Sequence, residues 1–447
     1  MKIIRDFSFL PIAPVCLLLG LTIPLFGAEI RVPRFEAASR GASQEGEFIV
    51  SSKVAADIAL DGGYKFSALL GFSLEARNLE KAMTYRNFGF APMPGMAAWT
   101  PQPSATPADI QNIEDRLSEL EKEHLELVDE YNELVNSHNA LMDRMNNQAV
   151  LSFRIARAVV RDVFKLPLEL TYFIGVSDVF CSGDEFASRF GTDPIGSDYR
   201  GFFYFPEGIG GDSTRQYNGI HGVRGTGVSL ALTPWHFLAP LVYLYEDFSF
   251  IDSRTGLAEL GHYSGDLRLL VNLKPVKLEG FAGTTLAKDQ GPIFRGGILA
   301  HFDSGKGANF LLQCGIPGWQ QGEAFSIDNL YFLMEPRIHF RVLGLALTFF
   351  YHPLQYLQVE TPDERGKADI NLKFSAGDLA TTGIAGGLET TIRFKSENME
   401  EFSLFISPFI GFITGELRWD AKIRIKPLVF DRPGEVLELF MGIQSSF

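Results

Sequence analysis

The chain has 447 residues, enough for two or three ordinary domains or one large barrel. Charged residues make up 21%, mean hydropathy is +0.06, and beyond about residue 30 no apolar run is long enough to cross a bilayer as a helix, which excludes a helical membrane protein. The formal net charge of −14 excludes general binding to nucleic acid or to anionic lipid.

The N-terminus carries Lys2 and Arg5 ahead of an apolar stretch, Phe7 to Phe26, that is interrupted by Pro11, Pro14 and Pro24. Ala28 follows as a small residue before Glu29, so residues 1–28 read as a secretory signal peptide, with an uncleaved anchor as the alternative. Cys16 follows Val15 with apolar residues beyond it, which is not a lipoprotein pattern. Export leaves Cys181 and Cys314, and their spacing fits one disulfide or two free thiols equally.

The N-terminal segment, residues 29–90, contains the first barrel hairpin. Phe48, Val50, Val54, Ile58 and Leu60 share one face of a strand whose other face carries Lys53 and Asp57. Asp61-Gly62-Gly63 supplies turn chemistry, and Tyr64, Phe66, Ala68, Leu70, Phe72, Leu74 and Ala76 then alternate with Lys65, Ser67, Leu69, Gly71, Ser73, Glu75 and Arg77. Each arm is more than twice the length of a typical globular strand of ~5–6 residues.

A Pro/Ala-rich linker, residues 91–107, leads into a segment of different character, residues 108–148. Ile113, Leu120, Leu127, Leu134 and Leu141 occupy d positions of a heptad, and Ile110, Leu117, His124, Tyr131, His138 and Met145 occupy a. Unbroken three-four spacing with charges between predicts a coiled-coil helix roughly 50 Å long. The chain offers no second heptad segment, so the seam predicts a homo-oligomer, a dimer or a trimer. One amphipathic helix lying on or within a barrel is the alternative. In an oligomer His124 and His138 would form rings of imidazoles, or serve as tolerated polar core positions.

From residue 149 the amphipathic strands resume. Arg154, Arg157 and Arg161 either extend the helix or begin a strand facing the inside. Apolar stripes at period two run through Leu166–Val176, Tyr263–Leu273, Leu330–Phe340, Ile370–Phe374, Ile384–Phe394, Phe402–Ile410 and Leu417–Ile425. Boundaries blur where glycine and proline crowd, at 201–237 and 291–325. Most stripes reach the ~9–11 residues that a tilted membrane strand needs. The pattern predicts an all-β transmembrane antiparallel barrel of about 14–16 strands with an inserted coiled-coil α-helix. Because lipid tolerates no open sheet edge, the last strand must pair with the first, which the pattern places near Glu47. One long irregular stretch, Ser177 to Gly219, is expected to pack on the barrel mouth or fold inside.

The chain ends on a strand in which Leu437, Leu439, Met441 and Ile443 alternate with Glu438, Phe440, Gly442 and Gln444, closing on Phe447. This tail resembles the C-terminal signal of bacterial outer-membrane barrels, with Leu439, Met441, Ile443 and Phe447 as the insertion signal and Ser445 as a departure. Across residues 46–90 and 150–447 the pattern resembles outer-membrane porins and transporters as a class. The resemblance implies the outer membrane of a Gram-negative-type (diderm) bacterium, contact with outer-membrane lipid and recognition by the barrel-insertion machinery. Porins tethered by coiled-coil rods look similar, except that here the rod follows a strand pair, so the side on which it protrudes depends on strand parity.

No catalytic motif stands out. There is no Gly-x-Ser-x-Gly elbow, Walker lysine loop or His-Glu-x-x-His helix, the histidines are scattered, and no cofactor is expected. The polar faces carry Arg268, Lys274, Lys373, Arg393, Lys395, Arg418, Lys422, Arg424 and Lys426, against Asp266, Asp369, Glu389 and Asp420. If these line a lumen it leans positive, so the sequence predicts a porin-like channel for small, anionic solutes. A surface or tethering protein that uses the helix and the long loop to bind a partner is the competing expectation.

Overall fold

The computed structural model describes residues 29–44, 47–77, 149–193, 195–199, 219–250, 260–288, 291–351, 368–394, 402–430 and 435–445, together with 116, 119–120, 122–128, 130–132 and 134. Eighteen antiparallel strands form one sheet. They are β1 (Glu29–Gln44), β2 (Glu47–Asp61), β3 (Phe66–Arg77), β4 (Ala149–Val160), β5 (Leu168–Phe180) and β6 (His221–Leu232). Next come β7 (Leu238–Asp247), β8 (Tyr263–Leu273), β9 (Val276–Leu286), β10 (Ile293–Asp303), β11 (Ala308–Gln320) and β12 (Tyr331–Phe340). The last six are β13 (Leu343–Tyr351), β14 (Ala368–Asp378), β15 (Ile384–Phe394), β16 (Phe402–Thr414), β17 (Leu417–Ile425) and β18 (Leu437–Ser445).

The sheet closes because β1 pairs with β18 on one side and with β2 on the other. Two expectations are thereby corrected: the barrel has 18 strands, not 14–16, and the last strand meets Glu29–Gln44, not the strand beginning at Glu47. β1 exposes Ile30, Val32 and Phe35 near its start, then only the small Ala37 and Ser39, opposite inward Arg34, Glu36 and Ala38. A register shift between Arg31 and Arg34 breaks the alternation and small residues follow it, which is why periodicity misses this strand.

Alternation elsewhere is regular. Leu267, Leu269, Leu345, Leu372, Leu388, Ile410, Ile423, Leu439 and Met441 are exposed, and the residues between them are largely buried in the interior. Such an apolar outer face and polar interior is what a bilayer requires of a barrel.

The two ends differ. One carries the short connections 62–65, 161–167, 233–237, 274–275, 304–307, 341–342, 379–383 and 415–416, together with the start of β1 and the end of β18. The other carries the connections 78–148, 181–220, 248–262, 321–330, 352–367 and 426–436, with the shorter 45–46, 287–292 and 395–401. In outer-membrane barrels short turns face the periplasm and long loops face outward. The insert between β3 and β4 therefore departs from the outward end.

The signal-peptide reading and the 91–107 linker lie outside the described residues, as do Ile113, Leu117, His138, Leu141, Lys395 and Phe447. Between 116 and 134 every described residue is helical; Leu120, Leu127 and Leu134 are exposed, while His124 and Tyr131 are half-buried. Arg154 and Arg157 sit on β4, so the chain has returned to strand there.

Candidate functional site: a strapped lumen with a cationic arc

The β5–β6 pair does not end at the barrel rim. A register shift between Val176 and Asp178 marks a bend, and Gly175 supplies the backbone for it with φ 97°. A Cβ at Gly175 would lie 2.2 Å from the carbonyl oxygen of Arg154, and one at Gly225 on the partner strand 1.8 Å from that of Glu246. Glycine is required at both by close backbone approach. Past the bend, Phe180, Cys181, the short helix α1 (Glu185–Phe190), Ile195, Tyr199 and Ile220 are packed into the interior. Of the two expected placements for the irregular stretch, its described part takes the inner one. Phe202 to Phe205 lie outside the described residues.

Two kinds of contact hold this strap. The first is apolar: Phe180 meets Tyr243 and Phe281 at ring-centroid distances of 5.1 and 5.0 Å, among inward Leu241, Leu270, Leu299, Leu311 and Leu333. The second is a set of three buried carboxylates on the wall, each paired with an arginine. Glu279 accepts from Cys181 N at 2.5 Å and from Arg268 Nε at 2.8 Å. Glu335 accepts from Ser197 Oγ at 2.6 Å, Asp198 N at 2.8 Å and Arg337 Nε at 2.5 Å. Asp369 accepts from Tyr199 Oη at 3.1 Å and Arg393 Nε at 3.3 Å. Gln313 adds a bond from Nε2 to the Cys181 carbonyl at 2.6 Å. Buried carboxylates that accept from several donors fix geometry; left unpaired they would be costly.

The strap fills the side of the lumen walled by β5 to β13. On β7 the wall is apolar on both faces, with Leu241, Tyr243 and Tyr245 inward and Val242 and Leu244 outward, whereas β8 to β12 keep polar inward residues such as Asp266, Arg268, Glu279, Arg295 and Arg337. A strand apolar on both faces has no period-two signal, so β7 left no stripe in the sequence.

The opposite arc, β14 to β18, holds most of the predicted cations. Inward positions on β17 carry Arg418, Lys422 and Arg424, with Lys426 following, over about 26 Å of strand. Arg418 binds Asp420 through two bonds of 2.8 and 3.0 Å, and Lys422 pairs with Glu389. Arg393 and Arg424 flank the Phe405 ring at 5.1 and 5.0 Å, and Lys373 lies 5.6 Å from the Phe409 centroid. Glu438 is shared by Arg424 at 3.2 Å, Lys426 at 2.9 Å and Arg40 of β1 at 3.4 Å. Water reaches the two ends of this arc, with side-chain exposures of 35% at Arg418 and 29% at Arg40, while Arg393, Lys422 and Arg424 between them keep 2%, 2% and 9%.

Two site expectations change. Lys274 is exposed in the tight 274–275 turn with φ 53°, at the short-connection end and off the wall. Arg268 is a strap anchor with its guanidinium 5.1 Å from the Phe180 ring. Sequence reasoning also undercounted interior acids: Glu36, Asp57, Glu279, Glu335 and Glu438 are all buried. Glu438 lies on the polar face of the terminal strand and Glu335 on the face opposite the Leu330–Phe340 stripe, while Glu279 lies on β9, which carried no recognised stripe. Cys181 and Cys314 are both free thiols; the first lies in the strap and the second on the opposite, outward parity of β11.

No protein-family model and no curated protein matches the chain. Among solved structures, OccAB3 of Acinetobacter baumannii is similar at TM-score 0.48 and 8% identity, covering 94% of this chain and 98% of that one. OpdK of Pseudomonas aeruginosa, crystallised with vanillate, gives TM-score 0.47 and 7% identity over 95% and 99%. A mutant of the Rh. blastica porin gives TM-score 0.45 and 7% identity over 94% and 100%. The fold rests on the closed sheet itself, and function on this chain's own geometry. A closed antiparallel sheet with an apolar outer face is the architecture of a transmembrane β-barrel of the outer-membrane type.

Proposed function

We propose that the protein is a porin-like channel for passive passage of small, anionic solutes, with the route displaced to the arc β14–β18 and β1–β4. The observation that carries this reading is the division of the interior. One side is packed by the strap and its apolar seat; the other keeps a line of cations from Arg418 to Lys426 with partial access to water. Basic side chains along a passage favour anions by ordinary electrostatics, and paired acids moderate the preference without cancelling it. Single-channel conductance with reversal potentials in a KCl gradient tests the proposal. An anion-leaning reversal potential supports it, and a silent or cation-selective barrel overturns it.

The exposed Leu120, Leu127 and Leu134 favour oligomerisation through the insert on the outward side. The same leucines support a second reading, a surface protein that tethers a partner. A non-conducting barrel whose insert still associates would favour that reading.

A further inference from the structure

The chain's negative charge is unevenly placed. The connection 78–148 alone carries twelve acids against five bases, and it belongs to the long-connection end. At the opposite end the sign reverses: the eight short connections hold six bases, Lys65, Arg161, Lys165, Lys274, Lys306 and Arg341, against two acids, Asp162 and Glu416. All six bases lie on the consecutive hairpins from β2 to β13, where the remaining tip, 233–237, carries His236; 379–383 and 415–416 carry none. Neighbouring tips are joined through the backbone. The carbonyl of Lys65 accepts from Arg161 N at 2.9 Å, that of Pro167 from Thr233 N at 2.9 Å, and that of Phe237 from Asn272 N at 2.8 Å. Pro275 O accepts from Asp303 N at 2.8 Å and Gly307 O from His339 N at 2.6 Å. The six tips therefore form one continuous rim, spaced about 10 Å apart at the ordinary distance between strands.

Arg161 pairs with Glu169 at 3.1 Å. Lys65, Lys165, Lys274, Lys306 and Arg341 are exposed, and among the described residues no carboxylate pairs with them. Lys165, Lys274 and Arg341 hold φ of 63°, 53° and 55°, a backbone that glycine adopts more easily, so three tips set a long cation where the turn itself favours glycine. Aromatic rings share the rim: Tyr64, Phe164, Trp235, Phe237 and Phe340 are exposed, Phe164 by 88%. They continue the apolar outer face of the strands, which puts the cations where hydrocarbon gives way to headgroups. A soluble acidic partner matches the charge but not the rings, whereas an anionic leaflet matches both. We propose that this rim is a docking surface for anionic phospholipid headgroups, of the phosphatidylglycerol type, in the periplasmic leaflet, and that it gathers them on the β2–β13 side alone. Basic residues beside an anionic leaflet each add to the attraction, and the interfacial rings fix the depth at which they meet it.

Two tryptophans at this end provide the test. Trp235 lies on the rim between the tips that carry Lys165 and Lys274, and Trp419 lies on β17 beside the 415–416 connection, which has no base. Full-length protein is reconstituted in phosphatidylcholine vesicles in two forms, Trp99→Phe/Trp319→Phe/Trp419→Phe and Trp99→Phe/Trp235→Phe/Trp319→Phe. Quenching by brominated phosphatidylglycerol is compared with quenching by brominated phosphatidylcholine. A preference for the anionic lipid of about fivefold or more is expected at Trp235, and about none at Trp419. Lys165→Gln/Lys274→Gln should bring the ratio at Trp235 toward unity, as should 1 M NaCl, where the screening length is ~3 Å. Lys165→Arg/Lys274→Arg should keep it, and a heat-modifiable gel band confirms that each variant is folded. Equal quenching at Trp235, the same preference at Trp419, or a preference that survives Lys165→Gln/Lys274→Gln overturns the proposal. Equal quenching together with lysine-dependent binding of purified peptidoglycan also overturns it, and assigns the rim to the cell-wall polymer. The readout needs no conduction, so a silent barrel sinks the channel and leaves the rim standing.

Discussion

The backbone N–H of Cys181 donates to Glu279 Oε1 at 2.5 Å, across 98 residues of sequence, and the same oxygen accepts from Arg268 Nε at 2.8 Å. One carboxylate on β9 thus holds both the tip of the bent β5–β6 hairpin and the arginine beneath it. Glu279→Ala leaves Arg268 buried with Asp178, 4.0 Å away, and the more distant Glu185 as its acidic neighbours. Breaking a buried pair in this way costs about 3 kcal/mol or more. Chemical unfolding of the reconstituted barrel should show a loss of that order, with Glu279→Gln in between. Wild-type stability in the alanine variant would mean that the carboxylate does not anchor the strap.

Cys181 reports on the strap directly. Burial pushes its thiol well above the ordinary range; the Glu279 carboxylate adds to the rise and Arg268 opposes it. The folded protein therefore favours the protonated thiol. This contribution to stability is complete below the unfolded thiol's range and fades as pH rises through the higher folded value. A membrane-impermeant maleimide should leave Cys181 unlabelled at pH 7 to 8 in the native barrel and label it in Glu279→Ala. Rapid labelling of the wild type at pH 7 would show that the strap does not stay inside.

The bend behind that strap depends on Gly175. A β-branched residue there combines φ 97° with a Cβ placed 2.2 Å from the Arg154 carbonyl oxygen. The backbone conformation alone costs about 1–3 kcal/mol, and the overlap adds to it. Gly175→Val should lower the yield of heat-modifiable barrel and raise Cys181 labelling in the fraction that folds. Normal folding with a protected thiol would show that the strand can bend elsewhere.

The barrel was legible wherever the interior is polar. The tail and the stripes of β3, β8 and β17 carry their inside and outside in alternate residues, because water or paired charge lies on one face and lipid on the other. The strap hid the rest. Where Phe180 packs against the inner face of β7, Leu241 and Tyr243 are apolar inward residues between apolar outward ones, and the period disappears on that strand. The cationic arc was readable for the same reason as the stripes. Its partners were only partly so, since Glu438 meets Arg40 through the closing of β18 on β1, whose apolar alternation is interrupted by the register shift between Arg31 and Arg34.

Charge reversal on the arc should move selectivity in a defined direction. Lys373 lies on the inward parity of β14, half-buried beside the Phe409 ring at 5.6 Å, and is central to the strand. Lys373→Glu changes the local charge by two units. At distances of several ångströms in a hydrated passage this is worth about 1 kcal/mol, or roughly fivefold in the anion-to-cation permeability ratio. Reversal potentials in a KCl gradient should shift toward cations by that order. An unchanged ratio would place the permeation route away from β14.

The insert supplies the last test, because its position follows from strand parity. Three strands precede it, β1 begins at the short-connection end, and the insert therefore leaves from the outward end. Leu120, Leu127 and Leu134 recur every seven residues with 57%, 57% and 68% of their surface exposed. A proline at Leu127 removes a helical hydrogen bond and clashes with the preceding turn, costing about 3 kcal/mol within the helix. Leu127→Pro should convert detergent-extracted oligomers to monomers in crosslinking and sizing. The barrel itself should remain heat-modifiable and its single-channel conductance unchanged, since the insert lies in a connection outside the sheet. An oligomer that survives this change must be held by the barrel wall, and the exposed leucines would then be open to a different partner.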